Sequence, residues 1–211
     1  GNRFEEIAPH ERPLNMYGYS KLLFDNYIRR HALAERVLAG QVPTHRVAAN
    51  QVAGFRFFNV YGPREFHKGS MASVAFHLRN QLEVSDTVKL FEGTDGYGPG
   101  DQSRDFVYVA DVCRVLLWGW ANANVSGIFN VGTGRAQPFN DVAHAVIDWH
   151  GRGSIEYVSF PEHLKGRYQS FTEAHLGALR AAGFDGEFVN VEQGVRLYLD
   201  WLAQNPNAYP L

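Results

Sequence analysis

The chain carries a single cysteine, Cys113. That excludes an intrachain disulfide framework and points to a reducing compartment. Its neighbours Val112, Val115 and Leu116 predict a core position rather than a reactive thiol. Excess charge of one sign is also missing. The net charge is -2, so there is no basic field for nucleic acid and no polybasic patch for a membrane surface. Long apolar runs are lacking as well. The longest uncharged run, Val115 to Gly134, holds Asn122, Asn124, Ser126, Asn130 and four glycines, and it is not expected to span a bilayer. The opening stretch GNRFEEIAPHERP has no apolar segment and reads as a connecting loop, not a signal peptide. No His-x-x-x-His or Cys-x-x-Cys pair occurs, so no metal site is expected. Nor is there a Gly-x-Ser-x-Gly nucleophile elbow.

What is present suits one large domain or two small ones. Of the 211 residues, 45% are hydrophobic and 20% charged, enough to bury a sizeable core. Helical spacing of apolar residues predicts helices over Leu14 to Ala39, Ser70 to Leu82 with Ser70 as N-cap, Asp111 to Asn122 with Asp111 as N-cap, and Phe139 to His150. Two more follow near the C-terminus. One is capped by Thr172 and ended by Gly183, the other runs to Leu202 behind a capping-box start at Asn190 and Gln193. Strands are predicted at Val52 to Val60, VKLFE, RDFVYV, GIFNVG and SIEYVSF. The alternation argues for α/β packing around a mainly parallel sheet.

Five stretches could carry chemistry. In MYGYSKLLFDNY, Tyr17 and Lys21 lie four apart on one helix face. A free phenol has a pKa near 10, and bringing one near 7 needs roughly 4 kcal/mol. An exposed pair of this kind supplies only about 0.5 kcal/mol. A working base therefore needs a desolvated site and a second cation, and without them the pair is ordinary surface. In FFNVYGPREFHKGSMASVAFH, a strand ends at Asn59 and a loop delivers Lys68, either a general acid or a solvated lysine. Arg104 opens a strand, where it could grip a diphosphate or pair with Asp101 or Asp105. NVGTGRAQ imitates a dinucleotide fingerprint but has Gln137 where the third glycine belongs, so it is rejected as a cofactor site. In LKGRYQ, Lys165, Arg167 and Tyr168 could meet a phosphate and a sugar, or form a polar loop.

Taken together, YGYSK, FRFFNVYGP, RDFVYVADV and FNVGTG, in this order, resemble the extended short-chain dehydrogenase/reductase family. RFFNVYGPREFHKGSMASVAFHL, KLFEG and FPEHLKGRYQSFTEAHLGALRAAGF are similar to its branch acting on ADP-heptose. The resemblance implies a Rossmann-like doubly wound parallel sheet plus a smaller α/β substrate-binding domain. Residues 1–65 would be the C-terminal remainder of the cofactor domain. Residues 66–211 would mainly bind substrate, with 104–131 returning to the first sheet.

The implied activity is an epimerisation at C6″ of the heptose through a transient ketone. It would use NADP, with NAD possible, in the cytoplasm, for lipopolysaccharide core synthesis. Tyr17 and Lys68 would be the acid/base groups on opposite faces. Lys21 and Val60 would meet the cofactor. Asn59, Ser70, His77, Phe91, Glu92, Gly93, Thr94, Arg104 and Tyr168 would contact the ADP-heptose. A homo-oligomer is implied for the intact enzyme.

Other extended short-chain sugar-nucleotide epimerases or dehydratases remain open, as does a non-catalytic sugar-nucleotide-binding fragment. The Gly-rich strand–turn–helix that opens such enzymes is absent before Tyr17. The chain is therefore expected to be the C-terminal part of such a protein, inactive alone and with apolar faces exposed.

Overall fold

The computed structural model describes residues 4–6, 11, 13, 16–30, 51–164 and 168–206. Helix α1 is Met16–Ile28, and Arg29 and Arg30 continue it in a wider turn. The remainder of the helix predicted to Ala39 lies outside the described residues. None of the residues of α1 is buried. What ties it down is charge. Arg56 pairs with Asp25 at 2.6 Å and with Glu11 at 2.7 Å, and Glu11 also pairs with Arg29 at 2.5 Å. Burial pushes the Glu11 carboxyl up, but the two arginines more than offset it and hold it below its usual range.

The predicted strand at Val52 to Val60 divides where the chain changes partner. Strand β1 (Ala53–Phe57) runs parallel to β6 (Gly127–Val131), and β2 (Asn59–Tyr61) runs parallel to β5 (Phe106–Tyr108). Phe58 is the switch residue, donating its N–H to Val131 O at 3.0 Å just before Asn59 N–H donates to Asp105 O at 3.0 Å. RDFVYV divides likewise, into β4 (Ser103–Arg104) and β5. Strand β3 (Thr87–Phe91) runs parallel to β8 (Ser154–Val158), and β4 pairs antiparallel with β7 (Gln137–Pro138). Parallel pairing with helices between the strands is the α/β arrangement that the alternation predicts.

The helices are α2 (Val74–Val84), α3 (Val109–Ala121), α4 (Phe139–His150), α5 (Gly177–Ala181) and α6 (Val191–Gln204). One core forms where Leu78 and Leu82 of α2, Val88 and Leu90 of β3, Val142 and Val146 of α4, and Val195 and Leu199 of α6 meet. A second joins Val107, Val112 and Val115 to Phe129, Val131 and Leu179. Helix α6 shows why its sequence folds this way. Its buried residues recur at helical spacing, and the capping box of Asn190 and Gln193 forms as predicted.

Three cap assignments change. Ser73, not Ser70, caps α2, its hydroxyl accepting from Phe76 N–H. Asp111 lies inside the first turn of α3, where Val189 N–H donates to it at 2.9 Å and Arg114 pairs with it. Thr172 caps no helix, and its hydroxyl accepts instead from Asp105 N–H. Cys113 is exposed rather than buried. It falls on the outer stripe of α3 with Leu116, Leu117 and Trp120, all exposed. A run of apolar neighbours does not reveal which helix face a residue occupies.

The α6 interface makes one sharp demand. A Cβ at Gly194 would lie 1.9 Å from the Tyr61 hydroxyl, which is buried. Gly194→Ala gains about 1 kcal/mol of helix propensity, but overpacking a rigid aromatic ring costs about 1–3 kcal/mol. The expected result is a lower denaturant midpoint for Gly194→Ala. An unchanged or raised midpoint would show that the ring can move aside.

Candidate active site

Tyr17 and Lys21 are together on α1, the lysine ammonium 5.0 Å from the centre of the phenol ring. Both are exposed, Tyr17 to 73%. The described residues therefore do not supply the desolvation that a working phenolate requires. Met16, Leu23, Phe24 and Tyr27 are exposed on the same helix.

Arg104 behaves differently from a surface ion-pair residue. It is 6% exposed, and among the described residues no carboxylate pairs with it. Its guanidinium stacks over Tyr168 at 4.8 Å and Phe139 at 5.7 Å, and it donates to Ser103 O at 3.0 Å. Burial pushes the guanidinium below its usual range, partly offset by the Tyr168 phenol. The alternative partners are engaged elsewhere. Asp101 accepts from Asn140 at 2.9 Å, and Asp105 is turned to other donors described below. An unneutralised cation between two rings is a ready receptor for a diphosphate or another anion.

Beside it opens a cavity of about 110 Å³, lined by Phe91, Gln102, Phe139, Tyr168 and Lys89, among others. Phe91 and Tyr168 are joined through Phe160, at 5.5 and 5.3 Å between ring centres. The stretch Glu92-Gly93-Thr94 follows directly on Phe91, which lines the cavity. Glu92 N–H donates to Val158 O, and Gln102 donates to Glu92 O at 3.3 Å. Tyr97 N–H closes the turn onto Thr94 O at 3.0 Å. A Cβ at Gly93 would fall 1.8 Å from Tyr97 O, so this turn requires glycine. Lys165 and Arg167 lie outside the described residues.

Asn59 and Val60 are in β2 opposite Phe106 and Val107 of β5, and Asn59 N–H donates to Asp105 O, next to Arg104 in the chain. Lys68 and Ser70 are exposed in a short 3-10 helix, Phe66–Met71, and His77 is half-buried on α2. Among the described residues, no hydrogen bond, ion pair or ring contact joins Tyr17 to Lys68. The structure thus gathers Phe91, Arg104 and Tyr168, pairs Tyr17 with Lys21, and holds Lys68 on a separate loop.

The Gly-Thr-Gly turn after β6 is occupied by the chain itself. Asp105, with no exposed surface, accepts from Thr133 N–H at 2.6 Å, Thr133 Oγ1 at 2.8 Å, Gly134 N–H at 2.9 Å and Ala174 N–H at 3.0 Å. Converging backbone N–H groups of this kind form an anion nest. Here the anion is an internal carboxylate, so the turn does not fit a dinucleotide phosphate. Neither Asp105 nor the buried Glu65 stands out in the sequence, because their partners are set by folding. Among the described residues no group of three or more His, Cys, Asp or Glu side chains could hold a metal.

The NAD dependent epimerase/dehydratase family profile matches residues 2–132. The ADP-L-glycero-D-manno-heptose-6-epimerase of Alkalilimnicola ehrlichii is 56% identical over 98% of this chain, which spans 61% of that protein's length. Among solved structures, the ADP-L-glycero-D-manno-heptose-6-epimerase of Helicobacter pylori superposes with a TM-score of 0.75 at 28% identity, covering 96% of this chain and 56% of that one. The UDP-glucose 4-epimerase of Thermus thermophilus, solved with NAD, gives a TM-score of 0.66 at 26% identity over 95% of this chain and 57% of its own.

Proposed function

Because this chain belongs to the NAD dependent epimerase/dehydratase family, we propose that it carries the substrate site and the acid/base residues of an epimerase inverting C6″ of ADP-D-glycero-D-manno-heptose. The observation that carries the reading is Arg104, a buried guanidinium that no carboxylate among the described residues pairs with, stacked on Tyr168 beside a cavity lined by aromatic rings. A diphosphate fits the cation, and an adenine or sugar fits the rings. The 56% identity to a heptose 6-epimerase favours that sugar nucleotide.

Inverting a carbinol centre requires proton transfer on both faces. A bound nicotinamide, NADP by preference, supplies the acceptor and donor of the hydride. Tyr17 moves the proton of the C6″ hydroxyl on one face and Lys68 on the other. Lys21, beside the Tyr17 ring, would hold the nicotinamide ribose, and Val60 would lie against the cofactor. Asn59, Ser70, His77 and the Phe91–Thr94 stretch would contact the ADP-heptose. The exposed pair on α1 suits this role only when further protein covers it. The same need supports a homo-oligomer and a cofactor-binding portion beyond these residues, with 1–65 and 104–131 forming its neighbour through the β1–β6 pair. The setting is the cytoplasm, supplying the lipopolysaccharide core.

The test joins this chain to the part of the Alkalilimnicola ehrlichii relative that it does not match. In that chimera, Arg104→Met is expected to raise KM for ADP-heptose by about 10- to 100-fold, as for a charge-assisted contact of about 1.5–3 kcal/mol. An unchanged KM would remove Arg104 from the substrate site.

A further inference from the structure

The loop from Gly62 to Ser73 carries Lys68, and its shape is unusual for a solvent-exposed segment. Three of its residues have positive φ: Gly62 at 138°, Arg64 at 70° and Gly69 at 53°. A non-glycine residue at such a φ costs energy and persists only where the surroundings enforce it. Gly69 also breaks the 3-10 helix, with non-helical φ and ψ of 53° and -126°. The side chains of His67, Lys68, Ser70 and Met71 are exposed.

One buried side chain ties its two ends together. Glu65 is 2% exposed. Its Oε2 accepts from Ser73 N–H at 2.7 Å and its Oε1 accepts from the Ser73 hydroxyl at 2.7 Å. The same Oε1 accepts a longer bond from Gly62 N–H at 3.4 Å. The carboxylate therefore fastens the start of the loop to its end. Its own backbone completes the device, since Lys68 N–H donates to Glu65 O at 2.9 Å. Ser73 in turn caps α2, so the clamp is anchored to a core helix. Among the described residues no cation pairs with Glu65. A buried anion held only by loop donors is costly unless every donor stays in place, and that cost resists opening of the loop.

We propose that Glu65 is the positioning residue for Lys68, its carboxylate clamping the loop so that the ammonium is presented at one place instead of sweeping through solvent. The inference rests on the acid/base reading of Lys68 given above. The clamp touches neither substrate nor cofactor and acts through loop geometry.

The test compares Glu65→Gln, Glu65→Ala, Lys68→Met and the double variant Glu65→Ala/Lys68→Met in the chimera, with kcat and KM measured separately. Glu65→Gln keeps the volume and one acceptor, so it remains informative if the alanine variant folds poorly. Hydrogen exchange of the Gly62 and Ser73 amides is followed in the 211-residue chain. The expected result is faster exchange at those two amides with α6 unchanged. With it, kcat should fall about 10-fold in Glu65→Gln at nearly constant KM. The double variant should be no slower than Lys68→Met alone, as for two residues acting through one step.

If the losses multiply in the double variant, Glu65 is a general structural residue and the proposal fails while Lys68 keeps its role. Wild-type kcat in the glutamine variant despite faster exchange overturns it too, as does unchanged exchange. Full activity in Lys68→Met overturns the reading of Lys68 itself, and the proposal with it.

Discussion

Replacing Asp105 with alanine is expected to lower the free energy of unfolding by about 3–5 kcal/mol. The carboxylate is fully buried and serves four donors, three of them backbone N–H groups at Thr133, Gly134 and Ala174. Each buried donor stripped of its acceptor costs about 1–3 kcal/mol. Burial also pushes the Asp105 carboxyl above its usual range, opposed by the Thr133 and Ala174 N–H groups, so removing the charge returns part of the loss. The balance stays unfavourable because alanine leaves all four donors behind. Thr133→Val deletes the hydroxyl's bond to Asp105 and the one it accepts from Arg135 N–H, and should cost about 1–2 kcal/mol. Urea unfolding of the two variants tests the comparison. If Asp105→Ala cost no more than Thr133→Val, the nest would not depend on its internal anion.

The second large effect is on turnover. Tyr17→Phe in the chimera should slow epimerisation by at least about 10²-fold, the scale of a lost acid/base group. Lys68→Met should do likewise while leaving NADP affinity largely intact. Exposure makes both variants clean. Tyr17 is 73% exposed on a helix that buries no residue, and Lys68 is exposed on its loop. Surface changes of this kind shift stability by only about 0.5 kcal/mol, so misfolding does not account for a hundredfold loss. Near-wild-type turnover in Tyr17→Phe would remove the phenol from the chemistry. Loss of NADP binding alone in Lys68→Met would make that lysine a cofactor contact.

What the sequence discloses follows the range of the interactions involved. Local signals read well. The capping box at Asn190 and Gln193 and the span of α4 depend on residues within one turn of each other, and both form as expected. Ser70 was the wrong serine because the chain stays in a 3-10 turn until Met71, held by a Glu65 contact eight residues away from Ser73. Asp111 and Thr172 resemble caps locally, but Val189 and Asp105, 78 and 67 residues distant, claim them. Asp105 reaches 28 residues to Thr133 and 69 to Ala174, a distance no periodicity reports. Of the candidate site, the Tyr17–Lys21 pair was legible from helix spacing alone. The cage of Arg104 was not, because Tyr168 and Phe139 come from separate segments. That cage distinguishes Arg104 from a surface ion-pair residue.

The two readings of the chemistry, inversion at C6″ of an ADP-heptose and inversion at C4 of another sugar nucleotide, differ in a product that NMR distinguishes directly. Incubating the chimera with NADP and ADP-D-glycero-D-manno-heptose should yield the L-glycero epimer, and incubation from the L-glycero side should return the D-glycero form. UDP-glucose should remain unchanged in the same mixture. No interconversion at C6″, with UDP-glucose epimerised at C4 or with both ligands bound and nothing turned over, would contradict the account.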